Sequence, residues 1–425
     1  MIYSILLYLG IFALFYPEHY KFLPISTIWI AAIPAIIFSI MYFFQHKVWS
    51  EVKFLCLLGI IILCVGIFAS KVFNNGGDFG LANRGIQIIT FSLFGVWVAC
   101  MFVKVYKHSS VFKLLEILIN IATFQAIVSI IFLLVPSIAE LYRSFVVLDV
   151  FTLQEIDKLS QYRLLGIGDM RYATAAVNYG FMIWAILLLR HNKYGLLGKV
   201  NWYSITIITL LSLAGILSGR TFLIVFLLTI PYVYFLKGCV FKDAVKELFL
   251  TFFPVLVMGS VVFIYLFANN EQLVSWAFEL FINMGDNGQI ESESTNQLKD
   301  MYILPTTIDT WLFGDGRLSD QYGGFYMGSD VGYVRSIFYW GITGTIVYLF
   351  IQFKMVRKAI TSSHDVTYRF FVYFIFIFFL IYWLKDLYSI EKLLCLFIIV
   401  QAMSNRINKK SKNRYYVIHN RNTSI

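Results

Sequence analysis

Charged residues are scarce in this sequence. Asp, Glu, Lys and Arg make up 14% of the 425 residues, whereas apolar residues make up 59%, and the mean hydropathy is +0.75. A soluble domain carries about 25% charged residues, and a soluble core cannot absorb so much apolar sequence. The composition therefore excludes a soluble globular protein and predicts a polytopic membrane protein.

Cysteine is scarce as well. Four of the five cysteines lie in apolar runs, and Cys239 lies in a short basic loop. Because none lies in a predicted outer loop and none is spaced as a metal ligand, the sequence predicts neither a disulfide framework nor a cysteine metal cluster. The first ten residues lack both a basic n-region and a small-residue cleavage site, so we expect a retained first helix rather than a signal peptide.

Apolar runs of about the length of a membrane helix recur along the whole chain. They lie at roughly residues 2–16, 26–44, 54–70, 85–103, 114–135, 173–189, 204–218, 221–236, 248–268, 333–352, 370–384 and 391–404. Because five of these runs are short, we predict about 11–12 transmembrane helices. The expected fold is a single, all-α, polytopic membrane domain.

The distribution of charge predicts the orientation. If both termini are cytoplasmic, 21 of the 34 lysines and arginines fall in inner loops or in the basic tail 405–425, and 19 of the 24 acidic residues fall in outer loops or at their edges. The positive-inside rule favours this arrangement. The net charge of +10 therefore indicates membrane orientation rather than a nucleic-acid partner, and we expect the tail to contact lipid.

Two predicted outer loops are long. One spans residues 137–172, and the larger spans residues 269–332 and is rich in Gly, Asp, Ser, Asn and aromatic residues. Long loops between membrane helices commonly carry function. We therefore expect the functional residues in these two extracytoplasmic loops and at the helix ends beside them.

A single charge, Arg220, interrupts the apolar stretch ILSGRTFLIVFLL. The segment Ser218-Gly219-Arg220 is the whole predicted connection between the seventh and eighth spans, and we expect Gly219 to permit the tight turn. Arg220 would then begin the eighth span at the outer interface, where a cation opposes the helix dipole. This position favours a role for Arg220 in binding an anion. The alternative is that the arginine snorkels to the lipid headgroups.

Other arginines lie where the two long loops enter the membrane. Arg163 and Arg171 flank a Gly-x-Gly-Asp turn, and Arg317 and Arg335 lie near the end of the large loop. Arginine suits bidentate phosphate contacts, and the alternative for each is an interfacial anchor or a salt bridge to a nearby acid. Paired carboxylates are few, so we expect arginines rather than a metal to hold an anion.

Histidine is absent from both long loops, so a general base there would be a carboxylate. Asp330 is best placed, because it lies just before a span in the segment GSDVGYVR. Asp320, Asp315 and Asp169 are further candidates. The alternative role for this position is capping of the following helix by Ser329 or Asp330.

Three stretches of the sequence resemble the O-antigen polymerases (Wzy-type) and related polymerases and ligases of lipid-linked oligosaccharides. LSGRTFLIVFLL resembles that family's Ser-x-Arg-x-x-Leu hairpin, and YRLLGIGDMRYATAAVNYG resembles its arginine-bearing loop before a mid-chain helix. SDVGYVRSIFYWGITG resembles the Asp-x-Gly-Tyr-x-Arg segment that closes the large outer loop. The similarity of architecture covers nearly the whole chain, whereas specific residue matches are confined to these stretches.

The resemblance implies a glycosyltransferase of the bacterial inner membrane that makes lipopolysaccharide or capsule. Donor and acceptor would be oligosaccharides on undecaprenyl pyrophosphate, a chain-length regulator is a further expected partner, and no cofactor is implied. Arg220 and Asp330 would be catalytic. The expected substrate-binding residues are Arg163, Arg171, Arg317, Arg335 and Tyr333.

Two alternatives to a polymerase remain open. The related ligases carry a histidine in the large outer loop, and its absence here favours a polymerase. A flippase for lipid-linked oligosaccharide would have a similar length and span count, but it would keep its loops short and place charges inside the helices.

Overall fold

We describe the protein from a computed structural model. The structure describes residues 2–45, 50–74, 76–107, 110–147, 164, 166–168, 173–269, 279, 283–284, 293–320 and 324–422. These residues form helices joined by turns. Within them the only β-type pairings are two isolated bridges, Tyr20 with Val146 and Ser319 with Phe325.

Fifteen α-helices are assigned in the described residues. They are α1 (Ile2–Phe15), α2 (Thr27–Gln45), α3 (Ser50–Ile67), α4 (Asn83–Tyr106), α5 (Val111–Leu134), α6 (Pro136–Phe145), α7 (Ala173–His191), α8 (Trp202–Ser218), α9 (Thr221–Leu236), α10 (Phe241–Asn269), α11 (Glu293–Asp300), α12 (Ile308–Phe313), α13 (Gly332–Thr361), α14 (Val366–Tyr382) and α15 (Glu391–Asn422). A π-helical segment, Phe68–Phe73, prolongs α3.

Six described helical segments are long and apolar enough to cross a membrane. They are Ser50–Phe73, Asn83–Tyr106, Val111–Leu134, Ala173–His191, Phe241–Val261 and Gly332–Thr361. Shorter apolar helices include Ile2–Phe15, Trp202–Ser218, Thr221–Leu236 and Val366–Tyr382. The chain is therefore an all-α, multi-pass membrane protein, and each apolar run predicted from the sequence coincides with a helix.

Helix α7 lies at the centre of the bundle, because every residue from Ala175 to Arg190 is buried. Its Trp184 Nε1 donates a hydrogen bond to Thr229 Oγ1 at 2.7 Å, and the Tyr232 hydroxyl donates to the Trp184 carbonyl at 3.1 Å. Both partners lie on α9. These contacts fix α9, and with it the turn that contains Arg220, against the core.

Helices α4 and α15 run side by side in the same direction. Cys395 Sγ contacts the Ile88 carbonyl at 3.8 Å, and one to two turns further along both helices Gly95 packs against Ile399. Residues one turn earlier, Arg84 and Glu391, therefore lie at a similar level at the start of the two helices. We call this end of the bundle, where α4, α13 and α15 begin, the predicted outer end.

Helix α13 is broken at Gly341, which has φ 69° and ψ −177°. A Cβ there would lie 2.2 Å from the Leu312 carbonyl oxygen, so a side chain is excluded both by the positive φ and by the approach of α12. Gly314 adopts a similar conformation, with φ 73° and ψ 177°, and packs against Tyr339. The break thus receives the Gly314-Asp315-Gly316 segment of the large loop, and the Gly316 N–H donates to the Tyr339 carbonyl at 3.2 Å.

The loop predicted at 137–172 begins within a helix, α6. Helix α6 buries Ala139 and exposes Leu141 and Phe145. The buried Glu18 carboxylate accepts hydrogen bonds from the Tyr142 hydroxyl at 2.6 Å and from the Gly168 N–H at 2.8 Å. Burial and the neighbouring Glu18 carboxylate raise the pKa of Tyr142, so the contact holds a neutral hydroxyl and ties the α1–α2 connection to the middle loop.

Candidate active site

The start of α13 packs against residues 383–390, the turn between α14 and α15. Gly332 makes this possible, because a Cβ there would lie 2.6 Å from the Asp386 carbonyl oxygen. The Tyr333 N–H donates to the Trp383 carbonyl at 3.1 Å, and the Tyr333 hydroxyl donates to the Leu380 carbonyl at 3.0 Å. The predicted substrate-binding residue Tyr333 therefore uses its hydroxyl to hold α13 against α14.

Asp330 and Arg335 face each other at the start of α13. The Asp330 Oδ1 and the Arg335 guanidinium nitrogen are 3.7 Å apart, and their side chains are 33% and 12% exposed. Helix α13 begins at Gly332 without a side-chain cap. The alternative role predicted for Ser329 and Asp330, capping of this helix, is therefore wrong: Ser329 Oγ instead donates to the Met301 carbonyl at 2.7 Å.

A second carboxylate, Asp386, lies beside Asp330. Partial burial and the negative charge of Asp386 raise the pKa of Asp330 to about 7, and Arg335 opposes this shift. A carboxylate with such a pKa is a stronger base than an ordinary aspartate and is half ionised near neutral pH. Asp330 thus has the environment expected of a general base.

Arg335 has an unused donor. Its Nε is buried and has no hydrogen-bond partner within the described part of the chain. Its guanidinium carbon lies 4.6 Å from the centre of the Phe325 ring, which holds the side chain from one face. An anion that reached this guanidinium would gain a charge-assisted hydrogen bond that the protein itself leaves unmade.

Arg84, in the first turn of α4, adds positive charge near Arg335. The link between them is Tyr339, one turn after Arg335: its hydroxyl donates to the Asp78 carbonyl at 2.7 Å and accepts from the Ala82 N–H at 3.3 Å. The start of α4 is therefore held against the outer half of α13. Sequence reasoning did not identify Arg84, because nothing in the segment LANRG shows that α4 begins next to α13.

A Gly-rich segment before α4 ties the large loop to this region. Asn74 Nδ2 donates to the Gly314 carbonyl at 2.8 Å. The Asp78 carboxylate accepts from the N–H groups of Gly80, Leu318 and Ser319 at 2.7, 2.7 and 3.1 Å. This segment, NNGGDFG, was not identified from the sequence, although its Gly-Asp pattern is typical of a turn that accepts backbone hydrogen bonds.

Arg220 immediately precedes α9, and Ser218 ends α8, as predicted. The Arg220 side chain is 9% exposed and forms a salt bridge with Glu279 of the large loop. The turn does not need the backbone freedom of a glycine, contrary to our expectation, because Gly219 is extended, with φ −177° and ψ 142°. The space around it is tight, because a Cβ would lie 3.2 Å from Thr221 Oγ1 and 3.3 Å from Ala173 Cα.

Parts of the middle loop adjoin the Arg220 turn. The Leu164 N–H donates to the Leu217 carbonyl at 3.0 Å, and Ala173 begins α7 beside Gly219. Arg163, Arg171 and the candidate base Asp169 lie outside the described residues, so their predicted roles stay predictions.

The other candidates have mainly structural contacts. Asp315 accepts hydrogen bonds from the hydroxyls of Thr310 and Tyr326 at 2.7 and 3.1 Å, and Asp320 Oδ1 accepts from the Gly324 N–H at 2.7 Å. Arg317 is exposed, and its guanidinium lies close to Gly76. Of the predicted residues, the structure therefore brings together Asp330 and Arg335, whereas the Tyr333 side chain contacts Leu380 and Trp383.

In the described residues all five cysteines are free, and no group of three or more His, Cys, Asp or Glu side chains could hold a metal ion. Comparison of the chain with family models, with curated proteins and with solved structures finds no match. The family resemblance therefore rests on the three sequence stretches, and the site rests on its geometry.

Proposed function

We propose that this chain polymerises oligosaccharide repeat units carried on undecaprenyl pyrophosphate at the outer face of the bacterial cytoplasmic membrane. One observation carries the proposal: a carboxyl with a raised pKa, Asp330, lies beside a guanidinium, Arg335, that has an unused buried donor. The Asp330 carboxyl suits proton abstraction from a sugar hydroxyl, and the Arg335 guanidinium suits hydrogen bonding to a phosphate oxygen.

The proposed transfer is a single displacement. The acceptor hydroxyl attacks the anomeric carbon of the donor sugar, and its proton moves to the Asp330 carboxylate. The new bond joins the acceptor oxygen to that carbon, while the bond from the carbon to the phosphate oxygen breaks and its electron pair leaves with the polyprenyl pyrophosphate. Arg335 stabilises the charge that develops on this leaving group.

The location of the charges supports transfer over translocation. Arg84, Arg335 and Asp330 lie at the predicted outer end, where α4 and α13 begin. A flippase is expected to line a central cavity with charges along the helices. Three further expectations are part of this proposal. They are cytoplasmic termini, a span count of 11–12 predicted from apolar run lengths, and a partnership with a chain-length regulator.

Arg220 is the second proposed anion-binding residue. Its guanidinium donates to the carboxylate of Glu279 in the large loop, and this ion pair supports the idea that the guanidinium N–H groups point towards an anionic oxygen. A substrate pyrophosphate would compete with Glu279 for the same donors. Arg163 and Arg171 remain candidates for the same pyrophosphate.

The test is reconstitution of the purified protein in vesicles with lipid-linked repeat units, followed by separation of the products by size. Polymerase activity gives a ladder whose steps equal one repeat unit. Single transfer to a different lipid acceptor indicates a ligase, and movement of the substrate across the bilayer without a new bond indicates a flippase. Either of the last two results overturns the proposal.

A further inference from the structure

The 383–390 turn has no assigned part in the proposed reaction, yet it contacts the residue that would act as base. Gly332 lets the backbone of this turn approach α13 to within van der Waals contact at Asp386 and Trp383. Asp330 lies two residues before Gly332, so this packing brings the Asp386 carboxyl within hydrogen-bonding reach of the Asp330 carboxyl.

Asp386 is held in this position by its own bonds. Its Oδ1 accepts from the Leu387 N–H at 2.6 Å, and its Oδ2 is 3.3 Å from the Tyr382 hydroxyl, which can donate to it. These contacts restrain the side chain and fix the position of its carboxyl. The Asp386 carboxyl beside Asp330 is thus a fixed feature of the turn.

The other charged and titratable groups around Asp330 come from four parts of the fold. Arg335 of α13 opposes protonation of Asp330, and so does Lys385 of the turn. Tyr382 of α14 contacts Asp386 and interacts with Asp330 as well. Arg84 of α4 and Asp78, in the segment before α4, act on Arg335. Asp386 is the neighbouring group whose negative charge favours protonation of Asp330.

We propose that Asp386 is a positioning residue for the polymerisation reaction, which makes Asp330 a stronger general base by holding a second carboxylate against it. A carboxyl that lies beside a negative charge holds its proton more tightly, because the two like charges repel each other. When the acceptor hydroxyl loses its proton to Asp330, Asp386 stabilises the protonated product. The inference rests on the proposed function, because it assigns Asp386 to the same reaction.

The first test does not require turnover. A hydrophobic carbodiimide modifies protonated carboxyls, and mass spectrometry of the resulting peptides measures modification of Asp330 as a function of pH. In the full-length protein we expect a midpoint near pH 7, as the raised pKa of Asp330 predicts. In Asp386→Asn, the midpoint should fall by about one pH unit or more, because the like charge is gone.

The second test is the pH profile of repeat-unit transfer. Activity of the unchanged protein should rise with pH through the pKa of Asp330, and in Asp386→Asn this rise should shift to lower pH and end at a lower plateau rate. Asp386→Glu retains the charge and should restore the original midpoint. Asp300→Asn, an exposed acid of α11, is the matched control and should leave the profile unchanged.

The two assays separate the possible failures. If the unchanged protein forms no ladder, the proposed function fails, while the carbodiimide midpoints still report on the two carboxyls. If a ladder forms but Asp386→Asn leaves both midpoints unchanged, the role of Asp386 is wrong. Should Asp386→Asn fail to fold, as judged by size-exclusion chromatography, Asp386→Ser is compared with Asp386→Glu in the same two assays.

Discussion

Asp78 accepts a hydrogen bond from the backbone N–H of Leu318 at 2.7 Å, across 240 residues of sequence. The same carboxylate also binds the N–H of Ser319 at 3.1 Å. The segment before α4 and the end of the large loop therefore form one structural unit at the predicted outer end. This unit positions Arg84 and the outer half of α13, which carry the positive charge of the candidate site.

Replacement of Asp78 should loosen the large loop. Asp78→Ala removes the acceptor for three backbone N–H groups, and each donor left unpaired costs about 1–3 kcal/mol where it is shielded from water. We expect a lower thermal unfolding temperature and faster protease cleavage within residues 314–320. Asp300→Ala serves as the control, and equal cleavage rates in the two variants would contradict the role given to Asp78.

The break in α13 should tolerate no side chain at Gly341. Gly341→Ala places a Cβ 2.2 Å from the Leu312 carbonyl oxygen at a φ of 69°, so it incurs both a steric overlap and a backbone strain of about 1–3 kcal/mol. Gly328→Ala is the matched control, because Gly328 has a φ of 68° with open space around it. Thermal unfolding in detergent should show the larger loss for Gly341→Ala; similar losses would mean that the approach of α12 is unimportant.

The Arg220–Glu279 pair predicts opposite effects for its two residues. Arg220→Ala should abolish long polysaccharide while single repeat units still reach the surface, because the pyrophosphate loses its guanidinium partner. Glu279→Gln should lower the apparent KM for the lipid-linked donor, since a competing carboxylate is removed. Arg143→Ala, at the end of α6, is the control. Polymer of normal length in Arg220→Ala would refute pyrophosphate binding at this position.

The orientation can be tested separately from the chemistry. A reporter fused after Asp300, at the end of α11, should be extracytoplasmic, because the positive-inside rule assigns the large loop to the outer side. A fusion after Arg357, near the end of α13, should give the opposite signal. A cytoplasmic signal from the first fusion would reverse the topology and remove the site from the side on which polymerisation is proposed.

The helices could be predicted from the sequence because membrane helices are read from apolar run length, which is a local property. The short Ser218-Gly219-Arg220 connection was also predictable, because a single charge between two apolar runs is expected in the turn between the two spans rather than inside either of them. The reason given for Gly219 was wrong, however, since close packing against Ala173 is a property of the folded bundle.

The parts of the candidate site that depend on contacts between distant segments could not have been predicted from the sequence. The contact of Asp386 with Asp330, and that of Asp78 with Leu318, join segments far apart in sequence, and neither pair has a motif of its own. The break at Gly341 was invisible for the same reason: the segment GITG reads as an ordinary part of an apolar helix. Asp330 and Arg335 were identified because they lie together in one short polar stretch that enters a span.

The assignment of polymerisation to the Asp330–Arg335 cluster is tested most directly by the product ladder of Asp330→Asn in reconstituted vesicles. Asp309→Asn, an exposed acid of α12, provides the matched control. We predict that the unchanged protein and Asp309→Asn form ladders, whereas Asp330→Asn still binds the lipid-linked donor but forms no ladder. A ladder of normal length and rate from Asp330→Asn would contradict the assignment.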